Sequence, residues 1–533
     1  MEEVMELNVS PVTTRPGIKS QAIAAPPFRL HCPSMSRSPS LDSAPKSPRS
    51  SFTSRLMTPI SSPMKKAITN MQGYLEEVGQ FTKLEPQQGQ DAWLPITESR
   101  NGNVYYSAFH TLSSGIGVQA LILPLSFVTL GWTWGIACLS LIFLWQWYTL
   151  WLLIQMHESE SGIRYSRYLR LSITAFGKGR RAYDLGEKRG KLLALFPIMY
   201  LSGGTCTILI MIGGGTMKIF FDIMCGETCH VTPPTAAEWY LVFACAAIIL
   251  AQLPNLNSIA GVSLIGAITA VSYCTVIWVV SVVKGKPPGV SYDPREANSD
   301  MAKLCNILNA LGIIAFAFRG HNLVLEIQGT MPSSSKHPSR LPMGRGVNFA
   351  YLIIAACLFP LAIAGYWAYG NLIPESGMLD ALYNHHGNDT SKLLTGLTSL
   401  FVVINSLSSY QIYAMPAFDN MEFRYTSKFN KPCPWWLRTG IRVFFGSFTF
   451  FLAVALPFLR DLAGLIGGIA LPITLAYPCF MWIQIKKPPK YGAIWSLNWI
   501  LGVLGMVLSI LVVIGATWSI VTMGLEIHFF KPQ

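Results

Sequence analysis

Two short stretches of this 533-residue chain place polar or ionisable groups where the surrounding sequence is almost wholly apolar. The first reads Ser113-Ser114-Gly115-Ile116-Gly117, with Pro124 further along the same apolar run. Two glycines separated by one residue weaken helix propensity and let the backbone open. Open backbone at membrane depth is tolerated only where it is buried in protein or lines a cavity. Amide groups at the start of a half-helix suit a carboxylate. Ser114, Gly115 and Gly117 are therefore candidate substrate-binding residues, the alternative being that the glycines only allow close helix packing. The second stretch, Phe318-Arg319-Gly320-His321, interrupts another apolar run. An arginine within a membrane is costly and marks a functional site by default; the alternatives are a structural ion pair or a side chain snorkelling to an interface. An unperturbed imidazole titrates near pH ~6.5, so His321 is a candidate for carrying a proton. The competing role for His321 is a neutral ring that hydrogen-bonds a neighbouring helix. Glu326, nearer the end of the run, reads as interfacial, with proton coupling as its second candidate role.

The elements that must position these groups follow from composition. Charged residues make up 13% of the chain, against about 25% in soluble domains. Long uncharged runs such as Trp132 to Met156 and Gly346 to Pro374 account for the deficit. Runs of about 20 apolar residues match the hydrocarbon thickness of a bilayer, and several in one chain imply a helix bundle. The short alternating segments of a barrel do not occur. The pattern predicts an all-α integral membrane protein with eleven transmembrane helices. They run at about 104–131, 133–156, 192–222, 237–254, 257–283, 304–327, 347–371, 393–415, 437–458, 463–484 and 495–525. If spans one to five and six to ten are inverted repeats, span six is the counterpart of span one, and both broken stretches occupy equivalent places.

Residues 1–100 differ in character, being rich in Ser, Pro and Thr, and are expected to be a disordered cytoplasmic tail ahead of a transporter domain at 101–533. A weak amphipathic pattern near Met64 to Phe81 suggests a short interfacial helix. Ser38, Ser47, Thr58 and Ser62 each precede a proline among basic residues, as proline-directed phosphorylation sites do; an unmodified spacer is the alternative. The acidic start Met1-Glu2-Glu3, with no early apolar core, does not read as a secretory signal. A net charge of +13 raises nucleic acid as a partner, but the basic residues concentrate in the tail and in alternate loops, which argues for a lipid bilayer instead. No metal-site spacing, nucleotide loop or catalytic dyad is evident, so no cofactor and no enzyme activity are expected. Most of the eleven cysteines lie inside apolar segments and read as small buried hydrophobes. Cys225 and Cys229 fall in an outer loop, where a bridge to each other or to Cys305 and free thiols both stay open. The sequon at Asn388 falls in an outer loop as well, where glycosylation is possible.

The block from Ala315 to Gln328 resembles the most recognisable stretch of the plant lysine/histidine-transporter-like branch of the amino acid/auxin permease family. Tyr477-Pro478-Cys479, Met481-Trp482 and Lys486-Lys487-Pro488 are similar to the family's tenth span and its exit. Gly73 to Gly79 and Asp91 to Ile96 resemble a long-tailed member of the branch. The resemblance covers residues 64 to 533. It implies a core of five plus five spans in inverted repeat with an eleventh added, and proton-coupled import of amino acids at the plasma membrane. It also implies that Gly115 and Gly117 mark the carboxylate site, and that Phe318 and Gly320 mark the span-six break. The sequence departs from the family at Gln119, a polar residue where an apolar one is usual, and at Gly344, where tryptophan is common. At Arg319 a small residue is usual; a fixed cation there would favour acidic substrates or repel cationic ones. An importer of an auxin-like carboxylate and a substrate sensor signalling through the tail are the alternatives.

Orientation follows from the loops. Nineteen Lys and Arg residues lie in one set of inter-span loops against six in the other, which predicts a cytoplasmic N-terminus and an extracellular C-terminus. Tags at Glu3 and Gln533 should be protected and accessible, respectively, in intact cells; two tags on one side would refute the eleven-span topology.

Overall fold

A computed structural model describes residues 91–522, except 92, 160–161, 177–182, 226–233, 254–255, 257, 295–298, 335 and 457–458. The expected interfacial helix near 64–81 and the four Ser/Thr-Pro positions lie outside the described residues. Of the expected tail, residues 93–100 are folded: Leu94 and Ile96 are fully buried, and the Leu256 amide donates to the Pro95 carbonyl. The packed region therefore starts before the boundary at residue 100 read from composition. Eight residues around a proline bury two apolar side chains without forming an element that periodicity reveals.

The described residues form sixteen α-helices. Span one is broken into α1 (Val104–Gly115) and α2 (Val118–Ile122), and continues into α3 (Pro124–Met156). Gly131, at φ 70°, turns the chain inside α3, so that its first turns complete span one and the remainder is span two. This is the boundary expected between 131 and 133. A short α4 (Tyr168–Phe176) leads to α5 (Tyr183–Cys225), α6 (Ala236–Leu250) and α7 (Ala260–Lys284). Span six is broken into α8 (Asp300–Ala317) and α9 (His321–Gly329). Then come α10 (Arg340–Tyr369), α11 (Met378–His386), α12 (Lys392–Phe429) and α13 (Trp435–Ala455). Span ten consists of α14 (Leu459–Leu471), a π-helical turn at Pro472–Ala476 and α15 (Tyr477–Lys486), and span eleven is α16 (Ala493–Thr522). Among the described residues, nine helical segments are long and apolar enough to cross a bilayer, α6 is a shorter apolar helix, and the divided first span completes the eleven.

Packing follows a five-plus-five repeat. Span one lies against spans five and seven, and span six lies against their counterparts, spans ten and two. Span three packs on span eight, and spans five and ten each touch the member of that pair from the opposite repeat. Span eleven covers spans six and ten. Its outward side chains Ile500, Val503, Val507, Ile510 and Ile514 are exposed, a continuous apolar face suited to lipid. Asp461 at the start of span ten accepts from Asn309 Nδ2 at 2.5 Å and Ser519 Oγ at 3.0 Å, tying spans six and eleven to it. Cys225 is disulfide-bonded. Cys305 is a free buried thiol, which removes the Cys225–Cys305 pairing; Cys229 lies outside the described residues.

One end of the bundle is fastened by charge. Arg167 Nε donates to Asp419 Oδ2 at 2.5 Å, Nη1 to Asp91 Oδ1 at 2.8 Å and Nη2 to Thr97 Oγ1 at 3.2 Å. Glu422 faces Arg438 at 3.1 Å and Arg442 at 3.7 Å, while Arg442 Nη1 donates to the carbonyls of Ala251 and Leu253 at the end of α6. Arg438 also reaches the Trp93 carbonyl at 3.4 Å. Arg167 and Arg438 served in the sequence only as a topology signal; folded, they bind the segment before span one to α12 and α13. Removing one partner of a buried ion pair costs about 3–5 kcal/mol, whereas replacing both by apolar groups is often close to neutral. Arg167→Ala should therefore destabilise the detergent-solubilised protein by about that amount, and Arg167→Met combined with Asp419→Leu should recover most of it. A thermal or denaturant melt gives both values; a single variant melting like the parent would refute the role assigned to the pair.

Candidate substrate site

Each broken span leaves carbonyls without their intrahelical donors, and side chains take them. In span one the Ser113 carbonyl accepts from Ser409 Oγ at 2.6 Å, and the Ser114 carbonyl accepts from Tyr413 OH at 2.9 Å. Gln119 Nε2 donates to the carbonyls of Ser114 and Gly115, at 3.1 and 2.7 Å. Asn405 Nδ2 donates to Ile116 O at 3.2 Å, and Tyr273 OH donates to Gly117 O at 2.8 Å. The polar Gln119 thus has a local reason: it closes the gap that the two glycines open. In span six, Gln146 Nε2 donates to Ala315 O at 2.9 Å and Arg319 Nη1 to Phe316 O at 3.2 Å. Gly320, at φ 152°, carries the chain into α9 through a conformation that a side chain would strain.

The two breaks open onto one cavity. It is lined by Thr111, Ser114 and Gly115 from α1, by Phe318, Arg319 and Gly320 at the span-six break, and by Tyr351 and Ile354 of α10. The remaining wall comes from Leu150, Val324 and Ile327. Its free space is about that of one water molecule, so it is a narrow cavity. Five of the six expected binding residues meet there; Gly117 does not, and faces Tyr273, Asn405 and Ser409 instead. Gly115 lets α1 lie close to α10: a Cβ there would press on the Ile354 side chain. Sequence reasoning missed Thr111, Tyr351, Ile354 and Tyr413. Tyr413 joins the two breaks, with its hydroxyl on Ser114 and its ring face 4.7 Å from the Arg319 guanidinium. An aromatic among many in an apolar span gives no signal of that role.

The two proton-coupling candidates occupy different surroundings. His321, fully buried, places Nε2 3.1 Å from Gln146 O and 3.0 Å from Thr149 Oγ1, and it is not part of the cavity wall. Glu326 is 4% exposed, so the interfacial position read from the sequence is replaced by an enclosed one. The loop following α3 folds under α9. Arg164 Nη2 donates to Gln328 O and Met331 O, at 3.2 and 2.8 Å, placing a cation at the carbonyl end of α9 where the helix dipole favours it. In the same loop Glu158 accepts from Ser339 Oγ at 2.6 Å. Burial favours the neutral form of Glu158, but hydrogen bonds with His157, Ser333 and Ser339 outweigh that and hold its carboxyl down to about 2. The Glu326 carboxyl lies within electrostatic reach of Asp419 and Arg167. Asn388 is exposed in the turn after α11.

Residues 100–522 match the family model described as transmembrane amino acid transporter protein. The chain is 54% identical over 532 residues to lysine histidine transporter-like 8 of Arabidopsis thaliana, covering 100% of both chains. It is 46% identical to lysine histidine transporter-like 7 of the same plant, over 83% of this chain and 90% of that one. Among solved structures, a nucleobase-cation-symport-1 family transporter in a closed conformation aligns with a TM-score of 0.50 at 11% identity. The alignment covers 84% of this chain and 98% of that one, and is a likeness of fold.

The two glycines of the wall should fail for different reasons. Gly115→Val should impair transport by driving into Ile354, and Ile354→Ala should restore part of it. Gly320→Ala meets no atom within 4 Å, so its cost should be backbone strain of about 1–3 kcal/mol that no trimming of neighbours relieves. Uptake and melting of the purified variants separate the two; rescue of Gly320→Ala by the Ile354 change would contradict the assignment.

Proposed function

The chain belongs to the transmembrane amino acid transporter family, and from that membership we propose that it imports amino acids in symport with protons. The observation that carries the reading is the meeting of two broken spans at one cavity. Ser114 and Gly115 form one side of it, and Arg319 and Gly320 form the other. A chamber built from discontinuous helices at the interface of two repeats suits alternating access. Similarity along the whole chain to a relative named as a lysine histidine transporter supports amino acids as substrates. The excess of basic residues in one set of loops supports a cytoplasmic N-terminus and a C-terminus on the opposite side of the membrane.

For the coupling proton the reading favours Glu326 over His321. An ionisable group that exchanges a proton between two sides needs a neighbourhood whose charge changes with conformation. Glu326 has one in the Arg167–Asp419 pair, which fastens α12 to the segment before span one; release of that fastening changes the field at the carboxyl. His321 is held against a backbone carbonyl and a threonine hydroxyl. At the span-one break, the carbonyls that would ligate an alkali cation already accept hydrogen bonds from Asn405, Ser409, Tyr413 and Gln119, which favours protons as the coupled ion.

For one coupled proton, each unit of external acidification is worth about 1.4 kcal/mol, or about tenfold in accumulation. Labelled amino-acid accumulation in transport-deficient cells should rise with that slope in the parent and lose it in Glu326→Gln. His321→Gln should keep the slope even where total uptake drops. A Glu326→Gln variant with the parental pH slope would sink Glu326 as the carrier.

A further inference from the structure

Arg319 differs from the packed arginines Arg164, Arg167 and Arg442, each of which faces a carboxylate. Arg167 is held by Asp91 and Asp419, Arg442 faces Glu422, and Arg164 faces Glu158 at 3.6 Å. Arg319 is 3% exposed, and no carboxylate of the described residues forms an ion pair with it. Its guanidinium instead lies over the Phe316 ring, 3.8 Å from the centroid, and near the Tyr413 ring at 4.7 Å. It hydrogen-bonds the Phe316 carbonyl and the Tyr413 hydroxyl, both neutral groups, and its Nε has no partner. A guanidinium remains charged at any physiological pH, and taking it out of water costs several kcal/mol unless an opposite charge compensates. Aromatic faces return only part of that.

The same residue lines the cavity beside Gly320, which begins the nine-residue α9 without any side-chain cap. The positive end of that helix adds to the arginine's charge at the same wall. We infer that Arg319 and the start of α9 form an anion subsite that selects amino acids with a carboxylate side chain. The argument is one of charge balance, and it rests on the transport reading above. A neutral amino acid enters as a zwitterion and leaves the chamber with one uncompensated positive charge. A lysine-like substrate raises that to two. An acidic amino acid carries one net negative charge and neutralises the wall. Beside a buried guanidinium these differences weigh far more than in water.

Glutamate and glutamine are the probes, being nearly equal in size and different in charge. At an external pH of about 5.5 the glutamate side chain is still mostly ionised. With the full-length chain in transport-deficient cells, glutamate should compete for uptake at least about tenfold better than glutamine, with lysine weakest. Arg319→Met should lower the ratio of glutamate to glutamine uptake at least about tenfold, whatever its effect on total uptake. Arg319→Lys, which keeps the charge, should retain the order glutamate, glutamine, lysine. Surface labelling checks that each variant reaches the membrane, and the parental competition order requires no variant. Uptake of neutral amino acids with no advantage for glutamate would overturn the subsite while leaving amino-acid transport intact. Equal loss of glutamate and glutamine in a surface-exposed Arg319→Met variant would also overturn it. Failure of the parent to take up any amino acid would overturn both readings.

Discussion

A backbone carbonyl in the membrane interior must find a donor within the protein, because lipid offers none and an unsatisfied group costs several kcal/mol. This chain breaks two of its spans, and the way it meets that requirement organises the rest of the molecule. The carbonyls from Ser113 to Gly117 accept from Gln119 within the same span, Tyr273 in span five, and Asn405, Ser409 and Tyr413 in span eight. Spans five and eight are thereby fixed against span one as its hydrogen-bond donors. Span six is served by Gln146 from span two and by its own Arg319. The cavity is the space left between two backbones that have been satisfied from outside.

The same accounting makes the breaks interdependent. Tyr413 satisfies Ser114 with its hydroxyl and supports Arg319 with its ring, so a displacement of either half-helix disturbs the other through one side chain. Elements that exchange between two packed arrangements need such shared contacts, since a core resists continuous deformation. At the far end of α9, Arg164 caps the carbonyls that the short half-helix exposes. Arg167 ties the neighbouring loop to Asp419 and to Asp91. The second half of span six is thus held at its carbonyl end by charge, while its amide end opens on the cavity.

Much of this was legible before folding was considered. Long uncharged runs gave the helices, and Gly115, Gly117 and Gly320 gave the places where two of them break. The loop arginines gave an orientation. The partners of those residues were not legible. Gln119 read as a departure from its family until its amide met two carbonyls one turn away. Gly117 read as a cavity residue, yet the chain turns its surroundings toward spans five and eight. Glu326 read as interfacial because its distance along the span placed it near an end, yet the folded chain buries it. The segment from Trp93 to Arg100 carried too little periodicity to be distinguished from the tail.

By itself, then, the sequence determined that this protein is a bundle of membrane helices with two local failures of helical structure, one of them carrying an arginine. Those properties depend on runs of neighbouring residues, and hydropathy and glycine act at that range. Only the tertiary structure decided that both failures open on one chamber, that Tyr413 links them, and that Arg319 meets two aromatic rings in place of a carboxylate. These depend on residues far apart in the chain being brought within a few ångströms, and on which polar groups have already found partners when they arrive. Pairing of that kind is settled by the packing of whole spans.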